Sequence, residues 1–307
     1  MKKLSILIVI FFYGVSFFAQ QDPQYNLYQF NQMIINPAYA GARDGVSIIG
    51  AVRQQWAGID GAPRTICLSG HTPILNKKLG VGVTLFNDRL GPRDLTAIYG
   101  NIAYILKLSQ KYKLSFGLNA GYNSYRFNFQ ELTFKTPETN SSTLQNQKAG
   151  ELDLSGGTYL RSNKFFFGFS FSHVASSNVY QITTATGQLA YHPKTHLFLT
   201  AGRSFQLNEN CIFAPTIMLR RVTEADIGNM DLNLNFFLLK KLWLGFFVRS
   251  DYGPGFLIQY YVSNRFRVGY SYDSGAGIRR SLGSSHEIML GFDIPEVKSK
   301  VISPRFL

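Results

Sequence analysis

Apolar and polar residues alternate along most of this chain with a period of two. In Leu114–Asn123, Leu114, Phe116, Leu118, Ala120 and Tyr122 fall on one side, with Ser115, Gly117, Asn119, Gly121 and Asn123 on the other. Arg265–Asp273 sets Phe266, Val268, Tyr270 and Tyr272 against Arg265, Arg267, Gly269, Ser271 and Asp273; Lys164–Ser172 and Asp231–Leu238 behave alike. Successive side chains of a strand point to opposite faces, so each stretch predicts a strand with one apolar face. Fourteen such strands are expected, near 45–56, 63–74, 78–88, 94–109, 112–127, 150–161, 163–174, 195–206, 210–221, 229–239, 241–251, 254–263, 265–273 and 286–294.

The face opposite the apolar one decides the solvent. A soluble sandwich turns Lys, Glu and Thr outward, whereas here the second face is dominated by Gly, Ser and Asn. That suits a crowded polar lumen with the aromatic face in lipid. A bilayer also demands closure, because an open sheet edge leaves backbone donors and acceptors unpaired in hydrocarbon. The expected fold is all-β, a transmembrane outer-membrane antiparallel barrel of about 14 strands, an even number as in single-chain bacterial barrels.

The joins sort into two kinds. Strands 2–3, 4–5, 6–7, 8–9, 10–11 and 12–13 meet through short turns, while the alternate joins include Asn128–Ala149, Ala175–Lys194 and Ser274–Ser285; Arg89–Arg93 and Tyr252–Gly253 are short exceptions. Short turns mark the periplasmic side of such barrels, which places both termini there. The short turns gather Lys77, Lys78, Lys111, Lys113, Lys164, Lys240, Lys241, Arg265 and Arg267. This is either ordinary turn solvation or a basic rim for a periplasmic partner.

Composition agrees. The 26 Phe, 17 Tyr and 2 Trp are many for a chain whose mean hydropathy is only −0.03. Residues 1–19 read as a signal peptide, with Lys2 and Lys3 ahead of the apolar Leu4–Phe18 and a small Ala19 at the cut. No later apolar run reaches the ~18 residues of a membrane helix. Losing Lys2 and Lys3 lowers the formal charge from +13 to +11. For an exported chain that points to an anionic membrane surface or acidic partner and away from nucleic acid. Cys67 and Cys211 fit neither a disulfide framework nor a metal site, and read as small half-buried residues. No cofactor motif is visible. Residues 20–44 should form an N-terminal segment in which Tyr25–Ile35 plugs the lumen or lies along the periplasmic mouth, 45–294 the barrel, and 295–307 a periplasmic tail.

Four blocks, in order, carry a resemblance: QDPQYNLYQFNQMIINPAYAG, RQQWAGIDGAPRTICLSGHTPI, GVGVTLFNDRLGP and, near the end, GSSHEI. Together they closely resemble the PorP/SprF family, outer-membrane proteins of Bacteroidota linked to type IX secretion and gliding motility. The resemblance covers most of the chain beyond the leader and is densest over 21–92. It implies a barrel without catalytic residues that holds other proteins: type IX secretion components, or a large surface adhesin through its C-terminal domain. The loop Lys135–Ala149 belongs to none of the blocks.

Candidate partner-binding residues are Asn36, Pro37, Tyr39, Arg53, Gln55 and Trp56, the turn lysines Lys77, Lys78, Lys240 and Lys241, and Arg305 and Phe306 of the tail. Each has a structural alternative: Asn36-Pro37 sets a turn, Trp56 sits in an interfacial belt, and Arg53 is a lumen charge paired with an acid. A hydrolase built from Ser69, His71, His286 and Asp88 is disfavoured, since residues i and i+2 of a strand lie roughly 6–7 Å apart. The stronger competitor is a general porin passing small, preferentially anionic solutes, with Lys107, Arg249, Arg265, Arg267 and Asp273 lining the pore.

Overall fold

A computed structural model describes residues 25–131, 146–175, 180–184, 187–191, 193–223, 227–276 and 283–295. The leader, residues 296–307 with Arg305 and Phe306, and most of the 135–149 loop lie outside the described residues.

The chain runs β1 (Gly45–Gln54), β2 (Arg64–Ile74), β3 (Leu79–Leu90), β4 (Arg93–Lys107), β5 (Lys113–Phe127), β6 (Gln147–Arg161), β7 (Phe165–Ser172), β8 (Tyr180–Thr184), β9 (Gly187–Tyr191), β10 (His196–Arg203), β11 (Phe205–Asn208), β12 (Cys211–Val222), β13 (Ile227–Leu238), β14 (Leu242–Arg249), β15 (Gly253–Tyr261), β16 (Phe266–Asp273) and β17 (Ser285–Pro295). Strands β10 and β11 pair in succession with β12 and are halves of one wall strand, broken at Ser204. Strands β8 and β9 form a separate hairpin. Fourteen antiparallel strands therefore make the wall. First and last pair from Gly45↔Pro295 to Gln54↔His286, which closes the ring and leaves no terminal edge. Two strands start two or more residues earlier than their pattern suggests, β6 at Gln147 rather than 150 and β13 at Ile227 rather than 229, and the loop after β7 contains the β8–β9 hairpin.

The exposed side of the wall is the apolar one. Along β4 burial alternates strictly, with Ala97, Tyr99, Asn101 and Ala103 inside and Ile98, Ile102 and Tyr104 outside. Leu118 on β5 and Leu290 on β17 are 66% and 61% exposed. A belt of this size would be an aggregation liability in water and is at home in hydrocarbon. Short turns close one rim. In Leu239–Lys240, both residues take positive φ (50° and 57°), and Lys241 N–H bonds Leu238 O at 3.0 Å, a hairpin whose twist matches the strands.

The interior is filled by residues 25–44, folded as three short 3-10 turns (Leu27–Phe30, Gln32–Ile34 and Pro37–Tyr39). Leu27 and Phe30 pack with Ile49, Phe237, Trp243 and Met289, while Met33, Ala38, Tyr39 and Ala40 pack with Ala103, Tyr159 and Phe166. The small residues of the lumen face make this possible. A Cβ built on Gly117 would lie 2.1 Å from Ala38 N, and one on Gly80 2.0 Å from Ala40 O. The chain of the plug lies directly on the backbone of the wall at both places.

Candidate functional site

Polar side chains join the plug to the wall on every side. Asn36 caps the Pro37–Tyr39 turn by accepting from Ala38 N–H at 3.0 Å. Its amide donates to Thr158 O of β6 at 3.0 Å and Phe169 O of β7 at 3.4 Å. Pro37 starts that turn, where its fixed φ is already helical and its missing N–H costs nothing. Tyr39 stands edge-on between His71 and Tyr159. Tyr28 accepts a hydrogen bond from Asn233, and Gln29 and Asn235 exchange amide hydrogen bonds.

Charges sit at both ends of the plug. At its start, Arg53 Nη2 lies 2.9 Å from Asp273 and Nη1 3.4 Å from Glu287, with essentially no side-chain exposure in any of the three. Asn26 donates through its side chain to Asp273 and through its backbone to Glu287. At the far end Arg43 and Arg267 share Asp293, at 3.2 and 3.1 Å. Buried charges persist only when paired in this way.

This geometry rearranges the expected partner surface. Asn36, Pro37, Tyr39, Arg53 and Gln55 are buried, each engaged by plug or wall; Gln55 donates to Tyr252 Oη. In this conformation they cannot meet a partner. Trp56 is half-buried at the long-loop rim, with φ +50°. Lys78, Lys240 and Lys241 are exposed on the short-turn rim, joined by Lys111, Lys164 and Arg265. Lys77 is also there, bonded to Asp44 at 2.9 Å. Arg267 is not a rim residue, because it lies one pleat deeper than Arg265 and points into the lumen. Of the expected pore residues, Arg249, Arg267 and Asp273 do face inward, but all are paired. Arg265 is exposed just before β16, and Lys107 is exposed as the last residue of β4.

Side chains considered for hydrolysis are committed elsewhere. Ser69 donates to Asn31, His71 accepts from Gly41 N–H, Asp88 holds Thr65 and Arg93, and His286 pairs with Tyr270. Among the described residues no group of three or more His, Cys, Asp or Glu is placed to hold a metal ion. Cys67 and Cys211 are free thiols, the first fully buried. Alternation does not mark Asp273, Glu287, Asp293 and Gly80 as plug contacts beyond giving them inward-facing strand positions, and Asn26, in the plug itself, carries no periodic signal.

A family model for the type IX secretion system membrane protein PorP/SprF matches residues 17–292, almost the whole chain. The chain belongs to the PorP/SprF family. It is thus a type IX secretion membrane barrel, and the four blocks that resemble the family coincide with the plug, the first strands facing it and the closing strand. Comparison with curated protein sequences finds no match. Among solved structures, the toluene transporter TbuX of Ralstonia pickettii superposes with TM-score 0.54 at 9% identity, over 85% of this chain and 93% of that one. The monoaromatic hydrocarbon channel CymD gives 0.49 at 11% identity (87% and 93% covered), and the toluene transporter TodX of Pseudomonas putida 0.46 at 11% (88% and 93%). At 9% identity the likeness to TbuX is one of fold, that of an outer-membrane β-barrel.

Proposed function

We propose that this PorP/SprF barrel works by holding proteins. In this reading its short-turn rim faces the periplasm, with the end of β17, and the exposed Lys78, Lys240 and Lys241 together with Lys77 dock the secretion machinery; the plug itself starts at the long-loop end, where Asn26 meets Asp273 and Glu287. The tail carrying Arg305 and Phe306 adds to that contact. The long-loop rim faces outward and retains a surface adhesin through its C-terminal domain. Residues 1–19 are the export signal. No catalytic step and no cofactor enter the mechanism.

The observation that carries this reading is the plug. Residues 25–44 occupy much of the lumen with buried rings and paired charges, which supports a role played at the rims rather than passage of solutes through the interior. A porin would instead need Arg249, Arg267 and Asp273 to stand free in water. The rim lysines add a concentrated positive field, which speeds encounter with an acidic partner surface more than it tightens the final complex.

The test is an affinity pull-down of the tagged barrel from mild-detergent outer membranes of its own cells. Secretion components or an adhesin should be retained, and joint replacement of Lys77, Lys78, Lys240 and Lys241 by Gln should weaken retention of the periplasmic ones. A barrel that purifies alone, with ion conductance of an open channel, would favour the porin instead.

A further inference from the structure

The wall is uneven in one place. Strand β6 pairs with β5 along its whole length, from Gln147↔Phe127 to Arg161↔Lys113, but with β7 only over Gly156–Arg161. Strand β7 stops at Ser172, where its other neighbour β10 also ends its pairing at His196. The nine residues Gln147–Ser155 therefore run past the end of β7. Among the described residues no strand pairs with this edge, since β8 and β9 pair with each other.

The direction of the backbone groups follows from one hydrogen bond. Leu154 O accepts from Val174 N–H at 3.1 Å, on the β7 side. In an antiparallel ladder the N–H and C=O of one residue share a side and successive residues alternate. Those of Leu152, Gly150 and Lys148 therefore also face the notch.

The Leu152–Leu154 part of this edge lies at the level of the apolar belt, while the outward-facing Gly150 and Lys148 stand beyond it, opposite Ser124 and Arg126. Leu152 and Leu154 point outward, 71% and 49% exposed, and Leu152 stands opposite Tyr122, which stands opposite Ile98. Open sheet edges in lipid are not tolerated, because hydrocarbon offers their backbone groups no partner. On the inner side Asp153 accepts from Tyr99 Oη at 3.0 Å and meets His173 Nδ1 at 2.8 Å through Oδ2, while Oδ1 is buried without a partner. A cavity of roughly 120 Å³ lies against both banks of the notch, lined there by Asp153 and Ser155 of β6 and by Ser172 and His173.

We infer that the notch takes up one β-strand of a partner protein. The added strand bonds to the Lys148–Leu152 edge. Its outward side chains are apolar beside Leu152, continuing the lipid-facing belt, and polar beside Lys148, which stands opposite Arg126. Its inward side chains are hydrogen-bond donors, Lys, Arg, Asn or Ser, matched to the open acceptor on Asp153. Main-chain pairing supplies the affinity and the alternating side chains the choice of partner. This deepens the partner-holding role proposed above and rests on it.

A photoreactive amino acid placed at Leu152 or Lys148 of the full chain, in its own outer membranes, tests it. Leu118, on the same belt but paired on both sides, is the control. Expected are adducts mapping to one partner peptide with apolar–polar alternation, absent at Leu118. Moving the probe from 152 to 148 should move the attachment point by about four residues, the register signature of strand pairing. Leu152→Pro removes a notch-facing N–H but no bond to β5, and should abolish the adducts while the barrel still folds. Adducts only to lipid or to this chain's own loops, or a fixed attachment point, overturn the inference. If partners co-purify normally without such adducts, the notch alone falls; if none co-purify, the partner-holding role falls with it.

Discussion

Arg53 and Asp273 meet at 2.9 Å with no exposed surface on either side chain, and Asn26 donates to the same carboxylate oxygen of Asp273. One buried cation thus holds Asp273 and Glu287, and these two carboxylates hold the first turn of the plug. The pairing joins positions 220 residues apart, on β1 and β16, the two strands that flank β17.

Removing the cation should be costly. Arg53→Met leaves two carboxylates buried and uncompensated, a loss of about 3–5 kcal/mol in comparable pairs. Heat or urea titration of the folded barrel in detergent, read by gel mobility, should show the loss. Adding Asp273→Asn and Glu287→Gln to the same chain should restore much of it, because no unpaired charge then remains. An unchanged midpoint for the single variant would remove this network from the account of stability.

The seat of the plug depends on two glycines. Gly80→Ala and Gly117→Ala each insert a methyl where backbone of residues 38–41 now lies within about 2 Å of the new carbon. The plug has to lift, while the wall strands keep their pairing. Planar-bilayer recordings should show the conductance rising toward that of a chain lacking residues 25–44, with the native protein far below both. Native-like conductance in both glycine variants would mean that the turn does not need this close approach.

Asn36 offers a comparison of two small changes. Asn36→Ala loses the cap and the two donated bonds, and should cost about 1–3 kcal/mol. Asn36→Asp keeps the acceptor for Ala38 N–H but turns a carboxylate toward Thr158 O and Phe169 O, which are acceptors too. It should therefore be the worse of the two at neutral pH and recover as the solution is acidified. Equal stability of the two variants would show that the amide nitrogen does not face those carbonyls.

A smaller effect is expected at the short-turn rim. Burial alone would raise the Asp44 carboxyl, but the hydrogen bond and charge of Lys77, aided by Lys113 and Arg161, hold it below the usual aspartate range. A depressed folded pKa contributes stability above the unfolded value and loses it as pH falls through the folded one. Native protein and Asp44→Asn should therefore differ slightly at pH 7 and converge below about pH 4. The contribution is small because the carboxylate is 54% exposed and screened by water. A gap that widens on acidification would contradict the assignment.

The regular part of this molecule is written locally. Period-two alternation places every wall strand, and the Gly, Ser and Asn of the second face announce a crowded interior. Parity alone tells that Arg53, Asp273 and Arg267 point inward, since a strand has only two faces. Parity does not carry depth. Arg265 and Arg267 share a face, yet one ends in solvent beyond the strand and the other pairs with Asp293 inside. Lys107 has the parity of the lumen and still lies outside, because β4 ends there.

Which groups meet is not written in that alternation. The pattern specifies a lipid-facing barrel wall of fourteen strands with small residues turned inward. The use of that inward face, Gly80 and Gly117 as a bed for Ala38–Gly41 and Asp273 and Glu287 as anchors for Asn26, was settled by closure of the ring. Contacts across a barrel join residues far apart in the chain, so no local period records them; they follow from strand order, register and the shape left inside. For the same reason Asn36, Tyr39, Arg53 and Gln55, which looked like a surface for partners, became the packing of the plug.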